Sequence, residues 1–513
     1  MLIGAAVGAL IVSSASASLT TDPQALAKVG MPLGGGRIAS VEAVTGPQDR
    51  QVPVVVRGNQ IWPRGTVPAG ERITINVVVR RPGWISWLAG SSERIRLVVV
   101  APTAKLTQSY VTLASNAPLR IHFSAPVAAF SSGAGGAQLS RHVLASPTNT
   151  VTLARTAAAG SIWVAGVPRT WETMRPTVIS WFPAGAATAA VANPSPGTQL
   201  KPNTPITLTF SKSVSSALGN SMPPVSPVTS GTWHQLNSHT IEFRPEGYGY
   251  GLGAKVTVGL PAAVKLVGGP TSGSSSYGAW GVPGGSTTRL QQLLANLGYL
   301  PLRFNGNSPE PTTPQGQMNA AIDPPSGSFS WRYPNVPGNL RSMWAPGVSG
   351  EMTKGAVMAF EDSHGMTADG TPGPQVWRAL MLDALAGHKS TFGYTFVGVS
   401  EGSPESIDVW HNGKTVVTGP VNTGIPQAPT AQGTFAVFEH SPSVTMSGTN
   451  PDGSHYSDPG VPWVSYFNGG DALHGFLRAS YGSAQSLGCV EMSYSQAAAV
   501  YPYTPIGTLV NVT

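Results

Sequence analysis

Glycine and proline interrupt this chain so often that long regular elements have little room to form. The sequence contains 61 glycines and 46 prolines among 513 residues. Between them lie short β-branched runs, such as residues 54–56, 73–79 and 95–100. Runs of this length bounded by turn residues are typical of short strands. Because only 10% of the residues are charged, coiled coil and charged disorder are poor alternatives. The sequence therefore predicts a multidomain, mainly β protein.

An internal repeat divides the first half of the chain. Residues 118–124 and 205–211 share one alternating pattern, displaced by 87 residues, a period that suits one small β-sandwich per copy. These segments resemble bacterial Ig-like domains. We expect an Ig-like β region at residues 40–185 and a second Ig-like β-sandwich at 186–267. Residues 268–286 are dominated by glycine, serine and proline, which predicts a linker.

The hydrophobic period changes to that of helices at residues 287–386. Leu290, Leu293, Leu294 and Leu297 form one apolar stripe that ends at Gly298, a favourable C-cap. Thr353 is expected to cap a second helix, and Pro374 to lie in the first turn of a third. The region resembles the peptidoglycan-binding domain of cell-wall enzymes, a small three-helix bundle. It departs from that domain by an insertion between the first two helices, whose aromatic side chains either pack the long loop, which is commoner, or stack on sugar rings. These aromatic residues are Trp331, Tyr333 and Trp344.

Residues 1–21 contain no charged side chain and begin with an apolar run over residues 2–12. An Ala-Ser-Ala triplet at 15–17 matches a signal-peptide cleavage site, although the usual positive residues before the apolar run are missing. We expect a signal peptide or membrane anchor and an extracytoplasmic protein of the cell wall. The alternative is a buried N-terminal segment.

Charge is distributed unevenly along the chain. Residues 1–270 hold 21 Lys and Arg against 8 Asp and Glu, whereas residues 391–513 hold 2 against 8. The basic residues are spread out and do not alternate with aromatics, which argues against nucleic acid as a partner. They fit a stalk near an anionic wall polymer or membrane surface, or ordinary solubility.

The last 120 residues contain the candidate chemistry. Cys489 is the sole cysteine, so the chain has no internal disulfide and no cysteine-based zinc cluster. A thiol that transfers acyl groups near neutral pH needs a partner for its proton, usually histidine. His474 lies fifteen residues upstream, far enough for the chain to leave one strand and return beside it. Gly488 would let the backbone approach a substrate closely.

His474 and Gly475, followed by Ser486, Leu487, Gly488 and Cys489, resemble the L,D-transpeptidase catalytic domain of the YkuD type. The resemblance covers residues 391–513 and includes the segments 422–424, 429–435 and 462–470. It implies that Cys489 attacks a peptidoglycan stem peptide, with His474 and Gly475 in the catalytic set. It further implies an oxyanion and substrate site formed by Ser486, Leu487, Gly488, Tyr466 and Asn468.

Two departures from the family pattern bear on the activity. Leu487 replaces the second histidine of the signature, so all imidazole chemistry falls to His474. Glu491 stands where asparagine or arginine is common, and a carboxylate aimed at the thiol would disfavour the thiolate. We therefore expect Glu491 to face a cationic group or solvent; the alternative is an ordinary solvated strand residue.

The activity that the resemblance implies is formation of 3-3 crosslinks between stem tetrapeptides, which needs no nucleotide and no cofactor. The other histidines of this half lack metal-ligand spacing, so no metal site is expected. An L,D-carboxypeptidase on the same substrate and a non-catalytic cell-wall-binding protein remain alternatives. The partners implied are the stem peptides and glycan of peptidoglycan.

Overall fold

A computed structural model describes residues 14–32, 36–114, 116–135, 138–155, 157–185, 187–268 and 277–513. The described chain is mainly β-structure, as the sequence predicts. Most of the predicted signal or anchor segment lies outside the described residues. Its last residues, Ser18–Thr21, form a strand of the first sheet. Among the described residues, no helix is long and apolar enough to cross a membrane.

Two four-stranded sheets enclose the first hydrophobic core. The strands of this region are β1 (Ser18–Thr21), β2 (Ala27–Gly30), β3 (Arg37–Thr45), β4 (Arg50–Gln51), β5 (Val54–Arg57), β6 (Gln60–Pro63), β7 (Val67–Pro68), β8 (Arg72–Arg80) and β9 (Ser92–Val100), of which β7 belongs to neither sheet. One sheet has the order β1-β2-β6-β5 and the other β4-β3-β8-β9. Ile73, Ile75 and Val77 of β8 alternate inward, with exposed fractions of zero, against Ile61 of the other sheet. A short helix, α1 (Gly83–Ala89), connects β8 to β9.

A second core follows within residues 40–185, for which the sequence predicts an Ig-like β region. Its strands are β10 (Tyr110–Leu113), β11 (Leu119–Gly135), β12 (Gln138–Leu153), β13 (Gly160–Val167), β14 (Glu172–Thr173) and β15 (Thr177–Pro183). The sheet order is β10-β15-β13-β11-β12, while β14 pairs with β7. The first copy of the sequence repeat lies in β11, an internal strand of this sheet.

The third β region holds the second copy of the repeat, in an internal strand. Its elements are β16 (Thr188–Asn193), β17 (Ile206–Phe210), α2 (Val214–Leu218), β18 (Val225–Ser226), β19 (Gly231–Asn237), β20 (Thr240–Pro245), β21 (Lys255–Gly259), β22 (Val264–Leu266) and β23 (Tyr277–Gly281). The predicted linker at 268–286 is wrong in part, because β23 pairs with β21 and buries Trp280 in this core. Residues 269–276 of that prediction lie outside the described residues.

The helical region contains more than the three expected helices. Its elements are α3 (Thr287–Leu297), β24 (Leu302–Gly306), α4 (Pro314–Ile322), β25 (Gly327–Trp331), α5 (Gly338–Ser342), α6 (Glu351–Ser363) and α7 (Pro374–Ala386). Gly298 is the left-handed C-cap of α3 and Pro374 begins α7, as predicted. Thr353 is not a cap, because α6 begins at Glu351 and the buried Thr353 hydroxyl accepts a hydrogen bond from Gln291 at 3.1 Å. The insertion aromatics Trp331, Tyr333 and Trp344 pack on the core of this region.

Two sheets, one α-helix and a 3₁₀ helix (Tyr501–Tyr503) form the C-terminal domain. The elements are β26 (Thr395–Ser400), β27 (Ser406–His411), β28 (Lys414–Pro420), β29 (Gly433–Ala436), β30 (Glu439–Thr449), β31 (His455–Asn468), β32 (Asp471–Gly475), β33 (Val490–Met492), α8 (Tyr494–Val500) and β34 (Leu509–Val512). The orders are β28-β27-β26-β34-β29 and β30-β31-β32-β33. Both sheets and α8 contribute to one core.

The C-terminal domain also shares a core with the helical region. Phe396, Trp410 and Leu509 belong to the same buried cluster as the leucines of α3. A Cβ atom on Gly355 of α6 would lie 2.6 Å from the carbonyl oxygen of Gly507, so the two backbones approach closely there. The helical region therefore supports the C-terminal domain directly.

Candidate active site

The register of two parallel strands brings the candidate residues together. His474 of β32 is paired with Glu491 of β33, and Cys489 stands two residues before Glu491. Because side chains alternate along a strand, Cys489, Glu491 and His474 share one face of the sheet. Leu473, which precedes His474, and Val490, which lies between Cys489 and Glu491, belong to the core on the other face. The predicted return of the chain alongside the His474 strand is thus observed.

This face forms the floor of a cleft of about 550 Å³, called here the Cys489 cleft. The hairpin of β30 and β31 supplies one wall, and the segment between β32 and β33 supplies the other. The lining residues are Thr445, Met446, Ser447, Asn450, Tyr456, Asp458, Tyr466, Gly470, Asp471, His474, Phe476, Arg478, Gln485, Leu487, Cys489 and Glu491.

The His474 ring is almost completely buried and its tautomer follows from one contact. Its Nδ1 atom lies 3.1 Å from the carbonyl oxygen of Gly475. Since a carbonyl oxygen can only accept, Nδ1 carries the proton and Nε2 keeps its lone pair. Burial lowers the pKa of His474 below its usual value of 6.5, an effect that the Gly475 contact opposes. The arrangement favours a neutral imidazole that can accept a proton through Nε2.

The Cys489 thiol lies in the cleft with two backbone contacts. Its Sγ donates to the carbonyl oxygen of Gly470 at 3.5 Å, and the N–H of Ala472 donates to the sulfur. Desolvation raises the pKa of the Cys489 thiol to about 12, and the nearby carboxylates of Asp471 and Glu491 act in the same direction. The resting thiol is therefore protonated at neutral pH.

A serine hydroxyl fixes the backbone on either side of Gly488. The Ser486 hydroxyl donates to the Cys489 carbonyl oxygen at 2.5 Å and accepts from the Gly488 N–H at 3.2 Å. Gly488 has a φ of +114°, and a Cβ atom there would lie 2.5 Å from Oδ1 of Asp471. Both the conformation and the space require glycine at this position.

The remaining predicted site residues differ in their access to the cleft. Tyr466 and Leu487 line it, and burial together with the adjacent Cys489 raises the pKa of Tyr466. Asn468 does not line the Cys489 cleft and reaches it only through Asp471, whose Oδ2 accepts from the Asn468 side-chain amide at 3.1 Å. Burial raises the pKa of Asp471.

Glu491 forms an ion pair that the sequence analysis did not identify. Both of its carboxylate oxygens accept from the Arg478 guanidinium at 2.8 Å, and Glu491 is only 5% exposed. The expectation that Glu491 faces a cationic group is confirmed, and the alternative of a solvated residue is wrong. Arg478 is one of only two Lys or Arg residues in 391–513, which is the one signal that could have pointed to it. Its guanidinium also stacks 4.8 Å from the ring centroid of Phe476.

Asn422 organises the segment that returns from β32 to Cys489. Its fully buried side-chain amide donates to the Ser480 carbonyl at 3.1 Å and accepts from the Gly482 N–H at 3.0 Å. Its backbone exchanges two hydrogen bonds with Glu491. The segment at 422–424, noted in the sequence as part of the resemblance, thus positions the strand that follows Cys489.

Within the described ranges, no three His, Cys, Asp or Glu side chains lie close enough together to hold a metal ion.

Comparisons with known proteins agree with the resemblance of the C-terminal part. Residues 401–512 match the L,D-transpeptidase catalytic domain (YkuD), and residues 338–380 match the putative peptidoglycan binding domain. The second match begins at α5, so the α3 stripe lies outside it. No curated protein matches the chain.

Several solved structures are similar to parts of the chain. The catalytic domain of the E. faecium L,D-transpeptidase is 24% identical over 24% of this chain and 100% of that one, with a TM-score of 0.22. An L,D-transpeptidase from Mycobacterium smegmatis is 13% identical over 64% of this chain and 100% of that one, with a TM-score of 0.21. With TM-scores this low, these similarities support no conclusion about function.

Proposed function

We propose that this protein is a peptidoglycan L,D-transpeptidase that forms 3-3 crosslinks through an acyl-enzyme on Cys489. The observation that carries the proposal is the meeting of Cys489 and His474 in one cleft, with Nδ1 of His474 committed to the Gly475 carbonyl. The match of residues 401–512 to the L,D-transpeptidase catalytic domain supports the same reaction class.

In the first half-reaction, Nε2 of His474 accepts the thiol proton as Sγ of Cys489 attacks the carbonyl that joins the diamino acid to the terminal D-alanine of a donor tetrapeptide. The N–H of Gly488 donates to the Ser486 hydroxyl, so the flanking N–H groups of Leu487 and Cys489 would stabilise the oxyanion. The carbon–nitrogen bond then breaks and His474 protonates the departing amine. D-Alanine leaves, and a thioester remains on Cys489.

In the second half-reaction, the side-chain amine of a diamino acid on a neighbouring stem attacks the thioester. His474 accepts the proton of that amine and returns it to the departing sulfur of Cys489, and one amide has replaced another. Because one amide is exchanged for another overall, the reaction requires no nucleotide. This suits an extracytoplasmic, cell-wall-associated protein, as does the peptidoglycan-binding match at 338–380.

The protonation states on both partners support a coupled proton transfer. With the pKa of Cys489 raised and that of His474 lowered, the resting pair is a neutral thiol and a neutral imidazole. The proton would move as the sulfur attacks, not before. Arg478 neutralises Glu491, whose charge would otherwise oppose the negative sulfur.

Intact-mass spectrometry of the full chain, incubated with a donor tetrapeptide and an acceptor stem, tests the proposal. We expect a protein adduct of the donor less its D-alanine, absent in Cys489→Ser, together with crosslinked dimers. Tripeptide monomers without dimers would indicate an L,D-carboxypeptidase. Absence of an adduct with both the peptide and a thiol-acylating β-lactam would leave only the non-catalytic wall-binding hypothesis.

A further inference from the structure

The connection between β8 and β9 ends in an exposed apolar helix, α1. Trp84 is 49%, Trp87 79% and Leu88 45% exposed, whereas Ile85 of the same helix is buried. The Trp87 indole N–H donates to the Trp84 carbonyl oxygen at 2.8 Å, which holds that ring against the helix. Two tryptophans and a leucine thus form a fixed apolar tip facing solvent.

Arginines flank this tip on the outer face of its sheet. Arg37 of β3 and Arg80 of β8 are direct cross-strand partners. Arg94 of β9 is paired with Val78, which precedes Arg80 by two residues on β8 and lies further from the tip. All three arginines are exposed, and Arg96 follows on the same face. Like charges directly opposite each other destabilise a sheet, so an anionic partner would offset the repulsion between Arg37 and Arg80.

The apolar N-terminal run of the sequence joins the fold at the same end. The N–H of Ala17 donates to Oε2 of Glu93 at 3.0 Å. Glu93 also pairs with Arg81 at 3.0 Å, and Arg81 donates to the Ala89 carbonyl at the end of α1. One ion pair therefore ties residue 17 to the apolar tip. The uncharged apolar residues 2–12, which lie outside the described residues, precede this point by only a few positions.

We propose that this end of the first domain, formed by α1 and the arginines of β3, β8 and β9, rests on a lipid bilayer with anionic headgroups. Tryptophan is favoured at the boundary between headgroups and acyl chains, and arginine beside lipid phosphates. A soluble anionic polymer would account for the arginines but not for the exposed tryptophans and leucine. A bilayer offers apolar depth and surface charge together, which matches both the exposed apolar side chains and the arginines of this end.

A fluorescent probe on the tip tests the proposal in the full chain. Cys489 is the sole cysteine, so Cys489→Ser allows one label to be placed at Leu88→Cys, which keeps both tryptophans. The matched control is Leu236→Cys of β19, which is 48% exposed in another domain. We expect vesicles containing phosphatidylglycerol to shift the emission of the label at 88 to the blue and to leave that at 236 unchanged. The double variant Trp84→Ser with Trp87→Ser should weaken binding to vesicles about tenfold, because it removes the apolar contact. The double variant Arg94→Gln with Arg96→Gln should weaken binding about tenfold for anionic vesicles and leave binding to uncharged vesicles unchanged.

Three outcomes would overturn the proposal. The label at 88 could stay unchanged while the chain sediments with vesicles, which would assign binding to the N-terminal run alone. It could respond to poly(glycerol phosphate) in solution and not to vesicles, which would assign the surface to a wall polymer. The emission of the label at 88 could change with protein concentration in the absence of lipid, which would make the tip an interface between copies of the chain.

Discussion

His474 and Glu491 are direct neighbours on the parallel strands β32 and β33, and the bidentate ion pair with Arg478 draws the Glu491 carboxylate into a fixed position. Cys489 lies on the same face of the sheet. A carboxylate so close to a thiol opposes ionisation, and the arginine offsets that effect. Desolvation is the main reason that the thiol stays protonated, and the charges of Glu491 and Arg478 modify that effect.

Changing Glu491 tests this balance. Glu491→Gln removes the negative charge but leaves the Arg478 cation, so we expect the pKa of Cys489 to fall from about 12. Arg478→Gln should raise it and slow acylation. The measurement is the pH dependence of thiolate absorbance and of thiol alkylation, with Glu401→Gln, outside the cleft, as the control. Equal thiol titration in all these variants would show that the ion pair has no electrostatic influence on Cys489.

His474 is expected to supply all imidazole chemistry. His474→Ala should slow acylation by roughly 100- to 10,000-fold, the usual contribution of a positioned acid or base, while the fold and wall binding persist. Single-turnover acylation by a β-lactam measures the rate. If Leu487→His restored His474→Ala to the wild-type rate, the assignment to His474 alone would be wrong.

The acylation rate should remain high at mildly acidic pH. Burial lowers the pKa of His474, so the neutral imidazole that accepts the thiol proton persists below pH 6.5. Acylation should be nearly constant around neutrality and fall only where His474 becomes protonated, with a midpoint below the usual histidine value. Acylation rates over a pH series, corrected for protein stability, give this midpoint. A midpoint above the usual value would contradict a buried, neutral His474.

The sequence predicted those features of the site that depend on local pattern. The special backbone position at Gly488 and the return of the chain beside His474 follow from the glycine before the cysteine and from the fifteen-residue spacing between His474 and Cys489. Arg478 could not be found in this way, since it reaches Glu491 across a loop and no local pattern marks the pairing. Thr353 shows the same limitation, because its hydroxyl is occupied by Gln291 from another helix and α6 begins two residues earlier.

The shared core predicts that residues 391–513 alone are unstable. Removing the helical region exposes Phe396, Trp410 and Leu509, each of which contributes about 1.5–3 kcal/mol through burial. The total is comparable with the stability of a whole domain, about 5–15 kcal/mol. Denaturant unfolding of fragments 391–513 and 287–513 should show a cooperative transition only for the longer one. Equal denaturant midpoints for the two fragments would mean that the C-terminal domain does not need the shared core for its stability.

A point substitution tests the same contact in the full chain. Gly355→Ala places a Cβ atom 2.6 Å from the Gly507 carbonyl oxygen and should lower the unfolding temperature. Gly350→Ala is the matched control, since it lies at the start of the same helix and its Cβ would meet nothing within 4 Å. Equal unfolding temperatures for the two variants would show that the approach of the backbones adds no stability.

The β regions should not take part in the acyl transfer itself. Every residue that lines the Cys489 cleft lies between positions 445 and 491. Removing residues 1–285 takes away Tyr248 and Leu252, which pack on the helical core, so we expect some loss of stability. The rate on a small soluble stem peptide should nevertheless stay nearly unchanged at a temperature where the fragment is folded. A collapse of that rate would show that a β region shapes the cleft.

Activity on intact sacculi should respond differently, because residues 1–270 have an excess of 13 positive charges, 21 basic against 8 acidic residues. A basic stalk raises the local concentration of the catalytic domain at an anionic surface. The full chain should therefore exceed fragment 286–513 on sacculi at low salt and lose this advantage as ionic strength rises through about 0.15 M, where the Debye length is about 8 Å. Sacculus binding and turnover in a salt series measure the effect. If the full chain and fragment 286–513 had equal activity on sacculi at every salt concentration, the basic regions would be passive spacers. If the full chain kept a constant advantage at every salt concentration, that advantage would come from uncharged contacts.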